Sequence, residues 1–267
     1  MALSETQYST SSKYEARIYL NKKFKTAKTS KYEWIFNRFP KKENLKVLEL
    51  GCGTGLFWLA NRKNIKDSWE ITVSDYSEGM LEAAQSSLSR LNKNFKYEVI
   101  DAENINLSDN TFDVILANNM LYHIQNRDEA IKNIHRVLKK DGLFIASTMG
   151  KNDLSELHNY LYEFLKARKP GFRFKEFKFS MDNGIEQLSK YFDNITVEKY
   201  GNSLEIDEAE PIVNYYLSFN GMHNGMDVLP QKFAEEFKEY LQNIIAKEKT
   251  IKAAREEGMF VCKKIKP

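Results

Sequence analysis

Lys46-Val47-Leu48-Glu49-Leu50-Gly51-Cys52-Gly53-Thr54-Gly55 decides how this chain folds. Val47, Leu48 and Leu50 read as a buried strand, glycines at alternate positions break it, and the apolar run from Leu56 to Ala60 opens a helix. Strand, glycine loop and helix in that order are how an open α/β sheet builds a nucleotide site beyond the carboxyl ends of its strands. Glycine is needed there because the backbone turns sharply and a ligand approaches where a Cβ would collide. The spacing is G-x-G-x-G. A dinucleotide fingerprint is G-x-G-x-x-G, and Leu56 stands where its last glycine belongs. Glu49, just before the first glycine, would repel a pyrophosphate and suits a ligand carrying an ammonium group and hydroxyls.

Strands and helices alternate outward from this stretch. Residues 70–75 form a second strand ending in Asp75, and Ser77 caps a helix that keeps Leu81, Ala84, Leu88 and Leu91 at helical spacing. An acid about 20 residues beyond a glycine loop, at a strand end, suits a ribose diol; without that spacing it would be a helix-capping acid. Tyr76 follows and offers a flat face to a base. Residues 95–100 alternate as a third strand before Asp101 and Ala102. Residues 111–117 make a fourth strand, and Asn118 leads into a helix with Ala130, Ile131, Ile134, Val137 and Leu138 on one face. Asp141-Gly142 is expected to close that helix, with Lys139 and Lys140 in its last turn. Residues 143–148 are the fifth strand. This alternation requires a doubly wound parallel sheet.

The motif Glu49-x-Gly51-x-Gly53-x-Gly55 resembles motif I of the class I S-adenosylmethionine-dependent methyltransferases. The run from Phe112 to Ile124, with His135 to Leu143, is similar to the middle of the ubiquinone-biosynthesis-type branch of that family. The resemblance covers residues 47–148. It implies an α/β, Rossmann-like fold with a mostly parallel seven-stranded sheet, to which this sequence adds N-terminal helices and a helical insertion before the last strand. It further implies S-adenosyl-L-methionine as cofactor, held by Glu49, Gly51, Cys52, Gly53, Gly55, Asp75, Tyr76, Met80, Asp101, Ala102, Glu103 and Asn118. Within that set Asp101 takes the adenine amino group, or only caps its loop, and Asn118 lines the methionine side.

Outside the resembling stretch the pattern is helical and aromatic. Residues 14–39 read as basic amphipathic helix ended by Pro40, with residues 1–40 as a lid segment and 41–267 as the methyltransferase domain. The resemblance implies a final antiparallel hairpin at the sheet edge, with residues 195–200 and 259–263 as its strands. The roughly 55 residues between them far exceed a hairpin connection. An insertion over about 201–256, with helices at 207–219 and 231–249, is a substrate cover, since loops on a rigid scaffold carry specificity.

Methyl transfer from a sulfonium is an in-line displacement in which the protein aligns the reactants and excludes water, with a general base where the acceptor is weakly acidic. His123, after the fourth strand, is the first candidate base, beside Tyr122 and Tyr19. Tyr14, Tyr215 and His223 are further candidate acceptor contacts, whereas His135 and His158 read as packed or solvated. No Asn/Asp-Pro-Pro run follows the fourth strand, as amino-methylating nucleic-acid enzymes require. Two cysteines, Cys52 and Cys262, are too few for a metal cluster, a disulfide framework or arsenic chemistry, so no metal is expected.

The 267 residues carry 40 Lys and Arg against 37 Asp and Glu, a balance without the basic stripe of a dedicated nucleic-acid binder. No apolar run approaches membrane-spanning length. The expectation is a cytoplasmic small-molecule methyltransferase, monomeric or homodimeric, that does not engage membranes. Its rivals are a methyltransferase acting on RNA or protein through the lysines of residues 22–31, and a cofactor-binding protein that catalyses nothing.

Overall fold

A computed structural model describes residues 12–172, 174, 177–221 and 227–264. Seven strands lie in the order β3-β2-β1-β4-β5-β7-β6: β1 is Lys46–Leu50, β2 Glu70–Asp75, β3 Phe95–Val99, β4 Phe112–Asn118, β5 Leu138–Met149, β6 Asn194–Ile206 and β7 Ile251–Lys263. The first five pair in parallel, and β7 runs antiparallel to β5. This is the doubly wound, mostly parallel sheet that the alternation of elements demands.

The chain divides into two compact units. The sheet unit comprises residues 29–151, 177–200 and those from 257 on. Alternate side chains of its strands enter opposite cores, as the pleat dictates. Leu48, Leu50, Ile115, Ala117, Phe144 and Ala146 pack with Ala130, Ile131, Ile134 and Val137 of helix α5 (Arg127–Val137). Val47, Val73, Val114, Leu116 and Ile145 face the other way, onto helices α2 (Lys31–Phe36), α3 (Leu56–Ala60) and α4 (Glu78–Leu88). Strands buried on both faces read as continuous apolar runs, which is why they were legible.

The helical unit comprises residues up to 28, 152–176 and 201–256. It contains α1 (Ser12–Phe24), α6 (Ser155–Leu165), α8 (Ala209–Leu217) and α9 (Ala234–Glu248) around its own core of Leu20, Leu157, Leu161, Ile212, Phe237 and Leu241. α7 (Gly184–Leu188) belongs to the sheet unit.

Three boundaries differ from expectation. The helix after β4 stops at Val137, and Lys139 to Gly142 belong to β5. Asp141 adopts φ 61 and donates its amide to the Lys264 carbonyl, so backbone pairing with the end of the chain overrides the glycine stop signal. The N-terminal helical stretch splits into α1 and α2, because Ser30 and Glu33 form a reciprocal capping box that starts a new helix. The last two strands are also longer than their apolar cores suggested, 13 residues each.

Candidate active site

The strand ends are level. Leu50 is in register with Ser74 of β2 and Ala117 of β4, and Asn118 is in register with Ser147 of β5. Gly51, Asp75, Asn118 and Ser147 therefore share one edge. β1 sits between β2 and β4, where the order of strands reverses, and ligands bind open α/β sheets at that point.

The glycine loop needs its glycines. Gly51, Gly53 and Gly55 have φ of 70°, 55° and 77°. At Gly51 a Cβ would lie 2.7 Å from Met120 Cβ, and at Gly55 3.1 Å from Leu88. The loop is pinned from β2: the Cys52 amide donates to the Ser74 carbonyl, and the Gly53 amide donates to Asp75 Oδ2, both at 2.9 Å. Asp75 Oδ1 accepts the Ser77 amide. Burial raises the Asp75 pKa, and these amides oppose the rise. One carboxylate thus joins the ends of β1 and β2.

Glu49 is 1% exposed. Its Oε2 accepts the Trp58 indole N–H at 2.7 Å, so the acid before the glycines also anchors the helix after them. Burial lifts its pKa to about 8, with a further push from the Asp75 charge against the pull of the indole. Cys52 and Cys262 are buried free thiols with pKa pushed up by burial.

Tyr76 stands 54% exposed at the β2 end, while Met80 and Ala102 are buried. Asp101 is exposed, and its Oδ1 accepts the Glu103 amide. Glu103 is committed locally: its Oε1 accepts the amides of Gln125 and Asn126 just before α5. Asn118 Oδ1 accepts the Ser147 hydroxyl. Together these residues offer an open tyrosine face, acids for hydroxyl groups and a loop that admits close backbone approach. That set suits a nucleoside with a free diol.

Tyr122 and His123 lie in a short 3-10 turn after β4, rings 4.4 Å apart, with Tyr122 also 5.2 Å from Phe177. Tyr19 belongs to the helical unit, half exposed on α1, with the Lys23 ammonium 5.4 Å from its ring. Tyr215 is on α8 against Tyr216 and Phe219. His223 and the Tyr14 side chain lie outside the described residues. His135 packs on Phe192, and His158 stacks on Phe174 with its pKa pushed down to about 4 by burial and the nearby Arg255 charge. Among the described residues no three His, Cys, Asp or Glu side chains come together as metal ligands. Among them, too, no helix is long and apolar enough to cross a membrane.

Lys31, Trp58, Ser147 and Glu257 were missed from the sequence. Lys31 Nζ donates to Glu257 Oε1 at 2.7 Å and to Asn119 Oδ1 at 3.4 Å. These pairs join positions 88 and 226 residues apart, which no local spacing announces. Only Trp58, nine positions after Glu49 and on the helix the glycine loop opens, carried a signal.

Residues 48–146 match the family described as methyltransferase domain. That match takes in the glycine loop and most of the parallel strands β1 to β5. The ubiquinone/menaquinone biosynthesis C-methyltransferase UbiE of Haemophilus ducreyi is 30% identical over 131 residues, 47% of this chain and 50% of the relative. A malonyl-[acyl-carrier protein] O-methyltransferase of Bacillus cereus is 32% identical over 45% of this chain and 44% of its own length. The chain thus spans about half the length of these curated relatives. In fold it is similar to phosphoethanolamine N-methyltransferase 2 of Haemonchus contortus, solved with S-adenosyl-L-methionine: TM-score 0.60, 18% identity, all of this chain and 60% of that one.

Proposed function

We propose that the protein transfers a methyl group from S-adenosyl-L-methionine to a small-molecule acceptor. The observation that carries the reading is Asp75, whose carboxylate locks the glycine loop through Gly53 and leaves acceptor positions at the strand end for a ribose diol. The matched methyltransferase-domain family supports it. Bound there, the cofactor would supply a methyl group already activated by a positive sulfur.

The chain's own residues do the rest. Gly51 keeps the space beside Met120 open. Tyr76 covers the base, Asp75 holds the ribose and Asp101 the adenine amino group. Asn118, fixed by Ser147, lines the methionine side. His123 and Tyr122 are the candidate groups for accepting a proton from the acceptor. The aromatic composition of the segments outside the matched stretch favours an acceptor with an apolar or planar part. Two buried free thiols suit action in the cytoplasm.

Of the lysines in residues 22–31 that carry the RNA or protein reading, Lys23 is engaged by Glu208 and Lys31 by Glu257, which weakens it. The test is calorimetric titration with S-adenosylmethionine and NADH, then a screen of labelled methyl transfer to small acceptors. Binding of the sulfonium compound alone with transfer to a small acceptor is expected. Binding of NADH alone would overturn the reading.

A further inference from the structure

We propose that Lys31, positioned by Glu257, binds the carboxylate of the amino-acid end of the cofactor; this rests on the S-adenosylmethionine reading above. The acids already placed at the strand ends, Asp75, Asp101 and Glu103, suit hydroxyls and amines but repel a carboxylate. Lys31 brings a cation to the same edge. Its Nζ reaches Asn119, the residue after Asn118 and before Met120, and Met120 is the side chain that packs against Gly51. The ammonium is thus tied to the turn that follows β4, the turn whose Met120 packs against the first glycine of the loop.

The pair is built into the sheet unit and does not drift on its surface. The side chains of Lys31 and Glu257 are 12% and 2% exposed. Lys31 is the first residue of α2, whose Tyr32 carbonyl accepts from Asn61 and whose ring meets Phe57 of α3 edge-on. Glu257 pairs with Met149 of β5 in the sheet. A side-chain ammonium has three N–H donors, and Glu257 and Asn119 take two. The third matches a carboxylate oxygen, in a setting where a charge-assisted hydrogen bond is short and strong. Lys31 meets the carboxylate of the ligand, and Glu257 positions Lys31. An alternative is that the pair only fastens α2 to β7, and the experiment separates the two.

The protein and its Lys31→Met and Lys31→Arg variants would be titrated calorimetrically with S-adenosylmethionine and with its decarboxylated analogue, which keeps the sulfonium, nucleoside and amine. The unaltered protein is expected to prefer the carboxylate-bearing ligand about tenfold or more. Lys31→Met should lose that preference by weakening only the carboxylate-bearing ligand, and Lys31→Arg should keep it. Because Lys31→Met takes an ion-pair partner from a buried carboxylate, Lys31→Met/Glu257→Gln is measured beside it and should lose the same preference. Equal binding of both ligands by the unaltered protein, or a preference that survives in both methionine variants, overturns the proposal and leaves the cofactor reading standing. Binding of neither ligand by the unaltered protein overturns both.

Discussion

The amide of Gly53 donates a 2.9 Å hydrogen bond to Asp75 Oδ2, so the acid that ends β2 holds the shape of the loop that follows β1. Its other oxygen takes the Ser77 amide at the start of α4. Asp75→Asn would turn an NH2 group toward one of these two N–H donors and remove one acceptor from the ribose position. Losing a hydrogen bond to a charged group costs roughly 1.5–3 kcal/mol. Calorimetry should therefore show S-adenosylmethionine affinity falling by about tenfold or more, with a lower melting temperature. An unchanged affinity would remove Asp75 from the site.

Gly51→Ala tests the close approach at the loop. The position has φ 70°, and an added Cβ would stand 2.7 Å from Met120 Cβ. The left-handed conformation alone costs a side-chain-bearing residue about 1–2 kcal/mol, and the clash adds to it. Gly201→Ala is the control, because nothing lies within 4 Å of its added Cβ. Thermal melts and cofactor titration should separate the two: a destabilised protein with little binding in the first, and near-native behaviour in the second.

The strands of the sheet unit were readable because burial on both faces makes them continuous apolar runs, as with Val114 to Ala117 and Leu143 to Ala146. The glycine loop was readable because positive φ at three alternate positions leaves a compositional mark. Lys31 and Glu257 left none, since their meeting is a product of the folded sheet, and in sequence each is one charge in a charged run. The stop of α5 was misplaced for a related reason. Asp141-Gly142 has the chemistry of a helix end, and only pairing with Lys264 decides that it lies inside a strand.

Glu49 makes stability depend on pH in an unusual direction. Its folded pKa of about 8 lies above its ordinary value of 4.5. Between these values the unfolded chain gives up the proton while the folded protein keeps it, so the unfolded state binds fewer protons. Stability then falls as pH rises through this window, by at most about 1.4 kcal/mol per pH unit, and levels off above it. Asp75, also raised by burial, contributes with the same sign. Glu49→Gln keeps an oxygen for the Trp58 indole and removes the titration. Melting temperatures from pH 5 to 8.5 should fall less steeply in this variant than in the unaltered protein. Parallel profiles would mean that Glu49 is ionised in the folded state.

Asp153 governs the stability of the helical unit. Its Oδ1 accepts both Arg255 Nε and the amide of Glu256 at 2.8 Å, with the acid and arginine side chains 5% and 8% exposed. Adjacent bonds repeat the tie: the Leu154 amide donates to the Ala254 carbonyl, and the Ala254 amide donates to Glu156. Removing one partner of a buried ion pair leaves an uncompensated charge and costs about 3–5 kcal/mol. Asp153→Ala should lose that much in denaturant unfolding, and Arg255→Ala a similar amount. The double variant should recover part of the sum, because neither charge is then left buried alone. Strict additivity of the two losses would show that the pair is not coupled.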